Sequence, residues 1–147
     1  MDKELLKKYV IDYKQNLIND LKDSLKDLGG SGNLDDTEAK DPEDYSHIDE
    51  SRDFKKILQN KLGEAEYELS RLEKLSTEPM DKPTSGALIE TDKLSFYISL
   101  ATLPFIIDGK NFIGISENAP MFGVISRKKV GDKFKVGSVE YKILSIS

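Results

Sequence analysis

The 147-residue sequence lacks cysteine and tryptophan and contains a single histidine, His47. The absence of cysteine excludes disulfide bonds, thiolate zinc sites and a cysteine nucleophile. A lone histidine with no second nitrogen or sulfur ligand nearby argues against a zinc site. No apolar run reaches the roughly 18 residues of a membrane-spanning helix, and the charged N-terminus has no signal-peptide core. We therefore expect a cytoplasmic protein that does not bind a membrane.

Motifs of enzymes are also missing from the sequence. There is no phosphate-binding glycine loop, no Ser/His/Asp constellation with a suitable base, and no histidine-based metal motif. We predict that the chain is not an enzyme and has no cofactor of its own.

Acidic residues are concentrated in one segment. Residues 29–53 carry nine acids and two bases, whereas the whole chain has a formal net charge of −5. The segments before and after this one are nearly balanced in charge. We therefore expect no basic surface for nucleic acid and no independent sequence-specific binding of DNA or RNA.

Two long amphipathic patterns flank the acidic segment. Over residues 3–28 and 54–75, apolar residues recur every three or four positions, which predicts two helices of similar length. Gly29-Gly30-Ser31-Gly32 predicts the end of the first helix. Two such stripes pair as an antiparallel coiled coil, so we predict a helical hairpin over residues 1–76 with an acidic tip loop at 29–53. The predicted stripes comprise Leu6, Val10, Tyr13, Leu17, Leu21, Leu25 and Leu28 in the first helix, and Phe54, Leu58, Leu62, Ala65, Leu69, Leu72 and Leu75 in the second.

The composition changes after Leu75. Two prolines and the loss of periodicity predict a linker at residues 77–83, and residues 84–147 are rich in β-branched and aromatic residues. We predict an α+β fold in which a small β domain with one short helix follows the hairpin. The predicted strands are 87–91, 94–100, 112–115 and 139–146, with turns at Asp108-Gly109 and Gly131-Asp132. A short helix is predicted over 120–126, with Ser116 or Asn118 near its start and Pro120 in its first turn.

Three motifs near the C-terminus occur in a characteristic order. These are Ile115-Ser116-Glu117-Asn118-Ala119-Pro120, then Arg127-Lys128-Lys129-Val130-Gly131-Asp132, then Val139-Glu140-Tyr141-Lys142-Ile143-Leu144-Ser145-Ile146. In this order, and after a helical hairpin with an acidic tip, they resemble the C-terminal domain of the GreA/GreB transcription elongation factors. The resemblance implies an N-terminal coiled-coil hairpin and a C-terminal FKBP-like antiparallel β domain.

The resemblance also implies a function. Gre factors bind bacterial RNA polymerase and insert the hairpin into its secondary channel, where tip acids help to hold a catalytic Mg²⁺ and the polymerase cleaves backtracked RNA. Mg²⁺ prefers oxygen ligands and stabilises the attacking and leaving oxygens of phosphodiester hydrolysis. In this sequence the matching tip acids are Asp41 and Asp44, with Glu43, and the first two would contact the metal only in the polymerase complex. The resemblance places Ala119, Pro120 and Phe122 at the partner-binding surface.

The tip departs from the usual Gre pattern, Gly-Asp-Leu-x-Glu-Asn-x-Glu-Tyr. Asp41 and Asp44 keep a three-residue offset and Tyr45 follows them, and Pro42 is suited to the first turn of the returning helix. The alternative tip acids lie in Asp35-Asp36-Thr37-Glu38 and in Asp49 with Glu50. Two other functions therefore stay open: a non-catalytic regulator or inhibitor that occupies the polymerase channel, and a coiled-coil dimerisation module. We expect a monomer or a weak dimer.

Overall fold

The computed structural model describes residues 2–31 and 42–147 and has an α+β architecture. Two N-terminal helices that pack together precede a six-stranded sheet and one short helix, so the coarse fold class is confirmed. The elements in chain order are α1 (Lys3–Ser31), α2 (Pro42–Glu73), β1 (Leu88–Thr91), β2 (Ser95–Ile98), β3 (Phe105–Ile107), β4 (Lys110–Ile115), α3 (Pro120–Ile125), β5 (Lys133–Val136) and β6 (Val139–Ile146).

The buried stripe of α1 differs from the predicted one in its middle. Leu6, Val10, Lys14 and Ile18 are buried at intervals of four, whereas Leu17 is 42% exposed. The stripe includes Lys14. Because this residue is charged, the spacing of apolar residues in the sequence does not reveal its position in the stripe. In α2 the buried residues Leu58, Ala65 and Leu72 follow at intervals of seven, as in a coiled-coil seam.

Phe54 was predicted to belong to the seam of α2, and this prediction is wrong. Its side chain is 53% exposed, as is that of Ile57 at 51%. Helix α2 begins at Pro42, well before the predicted start at Phe54, which places proline in the first turn as expected. Helix α1 ends at Ser31, inside the predicted glycine-rich stop.

Contacts divide the chain into two compact units. One contains residues 1–12 and 72–147, and the other contains residues 13–71. In the first unit, the ammonium group of Lys7 donates to the carbonyl oxygens of Glu73 and Leu75 at 2.8 and 2.9 Å, where α2 ends. The boundaries drawn from the sequence, at 76 and 84, stay a prediction.

The sheet is mixed, so the prediction of an antiparallel sheet is wrong. Its strand order is β3–β4–β2–β1–β6–β5. Strands β2 and β4 are parallel, with Phe96 opposite Ile113, and the other neighbours are antiparallel. The chain leaves β2, crosses over to the sheet edge to form β3, and returns as β4 between them.

Gly114 makes this crossover possible. A Cβ atom on Gly114 would lie 2.4 Å from the carbonyl oxygen of Leu100, which belongs to the crossing segment. The amide of Thr102 donates to the Gly114 carbonyl at 3.1 Å, and the Gly114 amide donates to Thr102 Oγ1 at 2.9 Å. Only glycine allows the two backbone segments to approach this closely.

One face of the sheet carries the main core. Side chains from β1, β2, β4, β5 and β6 meet Ile125 of α3 there. On the opposite face, Tyr9 of α1 stacks on Phe105 with ring centroids 4.0 Å apart, and Phe105 in turn stacks on Phe112 at 5.6 Å. The main core comprises Ala87, Ile89, Phe96, Ile98, Ile115, Ile125, Phe134 and Ile143.

Both predicted turns are confirmed. Asp108 and Gly109 have φ angles of 51° and 76° and connect β3 to β4, as Asp-Gly sequences do in tight hairpins. Gly131 has a φ angle of 92° and precedes β5. Strand β6 has the predicted bounds, Val139–Ile146.

Candidate functional site

Two of the three candidate tip acids lie at the start of α2. Glu43 and Asp44 belong to its first turn, because the helix begins at Pro42. Asp41, the third predicted tip acid, lies outside the described residues, as do the alternatives Asp35 and Asp36.

No group of three or more potential metal ligands occurs within the described parts of the chain, 2–31 and 42–147. Asp41 lies outside these residues, so the expectation that Asp41 and Asp44 contact Mg²⁺ in the polymerase complex stays a prediction.

The predicted partner-binding turn lies at the start of α3. Ala119 has an extended backbone (φ −72°, ψ 142°) and directly precedes the helix, and Pro120 occupies its first turn, where its missing N–H costs no hydrogen bond. No side chain caps the helix: Ser116 and Asn118 do not do so. Instead, Ser116 Oγ accepts from the Asn118 amide at 3.1 Å, which holds the turn before Ala119.

This turn is closed by backbone hydrogen bonds and presents a small apolar surface. The Ala119 amide donates to the Ser116 carbonyl, and the Phe122 amide to the Ala119 carbonyl, both at 3.0 Å. Pro120 and Val124 are exposed. An apolar, backbone-bonded turn of this kind needs little ordering when it docks on a partner, which lowers the entropic cost of binding.

Phe122 is part core residue and part surface residue. It packs against the main core and is only half-buried, so the sequence alternatives of core and contact both hold in part. Ala119 is likewise half-buried. The structure thus brings Ala119, Pro120 and Phe122 together within a single turn.

The motif Arg127-Lys128-Lys129-Val130-Gly131-Asp132 follows α3 in the chain. The Lys129 amide donates to Asp132 Oδ2 at 2.8 Å, and the Asp132 amide donates to the Lys129 carbonyl at 3.0 Å. These bonds explain the turn function of Asp132 and direct its carboxylate toward backbone. Within the described residues, the side chains of Arg127, Lys128 and Lys129 make no hydrogen bond to another side chain.

Two titratable groups near the ends of the sheet have shifted pKa values. The pKa of Lys3 is lowered, mainly because burial disfavours its charge, while Glu78 acts in the opposite direction. The pKa of the Asp92 carboxyl is lowered, chiefly because the Lys142 amide donates to Oδ1. Both groups serve backbone contacts, and neither lies in the Ala119–Phe122 turn.

Comparisons with known proteins give no family assignment. No protein-family model matches the sequence, and no curated protein matches it. Across residues 2–31 and 42–147, no helix has the length and apolar character needed to cross a membrane.

Proposed function

We propose that this chain is a Gre-like accessory factor of bacterial RNA polymerase. In this proposal it acts in the cytoplasm, its C-terminal module has an FKBP-like fold, and the hairpin enters the secondary channel. The support comes from the order of the features: two helices of 29 and 32 residues, then a sheet with a short helix, then the Gly131 turn and the final strand. The chain itself catalyses no reaction.

The observation that carries the proposal is the exposed Pro120 turn. The resemblance assigns the partner-binding surface to Ala119, Pro120 and Phe122 on the sequence alone. These three residues form one hydrogen-bonded turn at the start of α3, with Pro120 exposed. A turn buried in the core would have been incompatible with this role.

The acids at the start of α2 supply the proposed chemistry. Asp41, Glu43 and Asp44 would contribute carboxylate oxygens to a Mg²⁺ shared with the polymerase, and the ion would stabilise the oxygens of the hydrolysed phosphodiester. The positions of Glu43 and Asp44 in the first turn of α2 favour this role, because they are close in the chain to Asp41.

A transcript-cleavage assay on backtracked polymerase complexes tests the proposal. The wild type should accelerate cleavage, and replacing Asp41 and Asp44 together by alanine should reduce this acceleration by at least about tenfold, as expected for removal of groups that position a catalytic metal. Binding to the polymerase should be unchanged.

The matched control replaces Asp20 and Asp23 by alanine. These acids have the same three-residue offset, lie on α1 and are exposed. This control should retain full stimulation. Equal losses in both double variants, or no cleavage by the wild type, would reject the catalytic proposal.

The second candidate is a non-catalytic regulator that occupies the channel. It is favoured by the sequence of the tip, in which no segment reproduces the usual Gre arrangement of Asp and Glu. This candidate predicts inhibition of transcription by the wild type and by the Asp41 and Asp44 double variant alike. Replacing Pro120 by aspartate would weaken binding in either case.

The third candidate is dimerisation through the helices. Phe54 and Ile57 are neighbours on α2 and more than half exposed, as apolar residues of an intermolecular seam are in a monomer. Sedimentation at high protein concentration decides this candidate, since a monomer at all concentrations would remove it.

A further inference from the structure

A strongly basic segment lies within this acidic chain. Residues 127–142 carry six bases and two acids, a net charge of +4, while the whole chain carries −5. The rest of the chain therefore carries −9. The contrast makes residues 127–142 the natural place to look for an anionic partner.

The sheet directs three of these lysines to one face. Phe134 and Tyr141 lie opposite each other on β5 and β6, and their rings stack at 5.4 Å on the core side. Because side chains alternate along a strand, Lys133, Lys135 and Lys142 point to the other face. All three are exposed.

Two of the lysines repel each other across the strands. Lys133 and Lys142 are directly opposite in the register, and like charges at such positions destabilise a sheet. The single acid on this face of the ribbon, Glu140, lies 3.8 Å from Lys133, and within the described residues Lys142 has no ion pair. The free protein thus maintains an unfavourable pair that an anion would relieve.

The preceding turn adds three more cations beside Lys142. The Gly131 amide donates to the Ile143 carbonyl at 2.8 Å, and the Ile143 amide donates to the Asp132 carbonyl at 2.9 Å. These bonds hold the turn against β6. Lys129 is bonded to Asp132 of this turn, and Arg127 and Lys128 directly precede it in the chain; all three are at least partly exposed.

We propose that this basic surface, formed by Arg127, Lys128, Lys129, Lys133, Lys135 and Lys142, binds an acidic surface patch of a partner protein. The proposal goes beyond the polymerase function and does not depend on it. Arg127 follows the exposed Val124 of α3 by three positions in the chain, so a partner at the basic surface has an apolar side chain nearby in the sequence, and protein–protein interfaces combine both kinds of contact.

A protein patch fits this surface better than nucleic acid. Binding of single strands relies on aromatic rings exposed for base stacking, but Phe134 and Tyr141 stack on each other toward the core. The −9 of the remaining chain also repels a long polyanion more than it repels a local acidic patch.

Fluorescence anisotropy with two labelled probes tests the proposal on the full chain. The probes are poly-L-glutamate and a single-stranded DNA of equal total charge, each at low and near-physiological salt. We expect the wild type to bind poly-L-glutamate more tightly than DNA, with affinity falling as salt rises. Replacing Lys133 and Lys142 together by glutamine should weaken poly-L-glutamate binding at least about fivefold.

The control replaces Lys22 and Lys26 by glutamine, which makes the same change in net charge at two exposed positions of α1. It should change the affinity less than about twofold, because the lost charges lie outside the patch. Equal losses in both variants, tighter binding of DNA, or no binding of poly-L-glutamate at low salt would overturn the proposal.

A stability measurement separates lost binding from misfolding. Lys142→Gln removes the repulsion with Lys133, so its Tm should rise by about 1–3 °C while its affinity for poly-L-glutamate falls. A lower Tm in this variant would overturn the argument, since the loss of affinity would then follow from unfolding.

Discussion

At the scale of single residues, Gly114 determines whether the crossover between β2 and β3 fits. The Cβ atom of an alanine would lie 2.4 Å from the Leu100 carbonyl and 2.8 Å from Thr102 Cγ2. The first neighbour is backbone and cannot rotate away. We expect Gly114→Ala to lower the free energy of unfolding by about 1–3 kcal/mol, the usual cost of overpacking, as measured by urea denaturation.

Gly123 provides the control for this substitution. It lies within α3, and a Cβ atom added at this position would meet no neighbouring heavy atom within 4 Å. Gly123→Ala should raise the free energy of unfolding by up to about 1 kcal/mol, because alanine favours a helix over glycine. A loss at Gly123 as large as that at Gly114 would contradict the steric explanation.

Tyr97 makes stability sensitive to alkaline pH. Its side chain is fully buried, its hydroxyl has no hydrogen-bond partner within the described residues, and burial raises its pKa from 10.0 to about 12. The folded state therefore holds the proton more tightly than the unfolded state. The contribution is fully present below pH 10 and is lost as the pH rises toward 12, at about 1.4 kcal/mol per pH unit.

Tyr97→Phe should remove this part of the pH dependence. At neutral pH the variant should be as stable as the wild type or slightly more so, because an unpaired buried hydroxyl is removed. Tyr67→Phe is the control, since Tyr67 is 66% exposed. Urea denaturation between pH 8 and 12 checks both, and an unchanged alkaline slope in Tyr97→Phe would contradict the assignment.

At the scale of elements, the pairing of α1 with α2 depends on a buried charge. Lys14 Nζ lies 2.5 Å from Glu68 Oε2, with the lysine side chain 9% and the glutamate side chain 51% exposed. Glu68→Gln leaves the buried ammonium without a charged partner. Because solvent screens the exposed glutamate, we expect a loss of only about 1 kcal/mol in the free energy of unfolding.

A double variant distinguishes the ion pair from packing. Lys14→Met fills similar space without charge, so Lys14→Met combined with Glu68→Gln should recover the stability that Glu68→Gln loses. Glu64→Gln, at an exposed position of α2, should be neutral. If the double variant is less stable than Glu68→Gln alone, Lys14 contributes more to the stability of the fold than its ion pair with Glu68.

The helices and four of the strands follow from local sequence patterns, but β3 and β5 do not. Strand β3 has only three residues, which are too few to show an alternating pattern. Strand β5 alternates charged and apolar residues and lies at an edge of the sheet. The parallel pairing of β2 with β4 depends on the contact at Gly114, between residues far apart in the chain. No local pattern reports such a contact.

The candidate site could be predicted in part. The Ala119-Pro120 turn was identified by its motif, and its three residues lie together. The basic surface was not identified, because the charges of residues 76–147 nearly cancel when they are counted as one segment. A shorter window over 127–142 reveals the excess, but only the register of β5 and β6 shows that Lys133 and Lys142 face each other.

At the scale of the whole molecule, the start of the chain belongs to the same compact unit as the sheet. Residues 1–12 group with residues 72–147. The ammonium of Lys3 donates to the carbonyl oxygens of Glu78 and Ser147 at 2.7 and 3.2 Å. The first turns of α1 thus complete a structure whose other residues come at least sixty positions later.

This arrangement predicts that the sheet module is not independent. A fragment of residues 84–147 lacks Tyr9, which stacks on Phe105, and lacks the buried Leu6 and Val10. Exposed aromatic surface on that face should make the fragment less stable than the full chain and prone to aggregate. Circular dichroism melting and light scattering check this, and a fragment that melts cooperatively at the Tm of the full chain would support the sequence-based boundary at residue 84.

Full-length variants assign the effect to the aromatic contact. Tyr9→Ala removes a ring stacked at 4.0 Å on Phe105, so it should lower the free energy of unfolding by about 2–3 kcal/mol, toward the lower end for aromatic truncations because Tyr9 is only half-buried. Tyr67→Ala removes a tyrosine ring from an exposed position and should lower the free energy of unfolding by less than about 1 kcal/mol. If both variants lose equally, the stability of the sheet does not depend on the start of α1, and the fragment should fold alone.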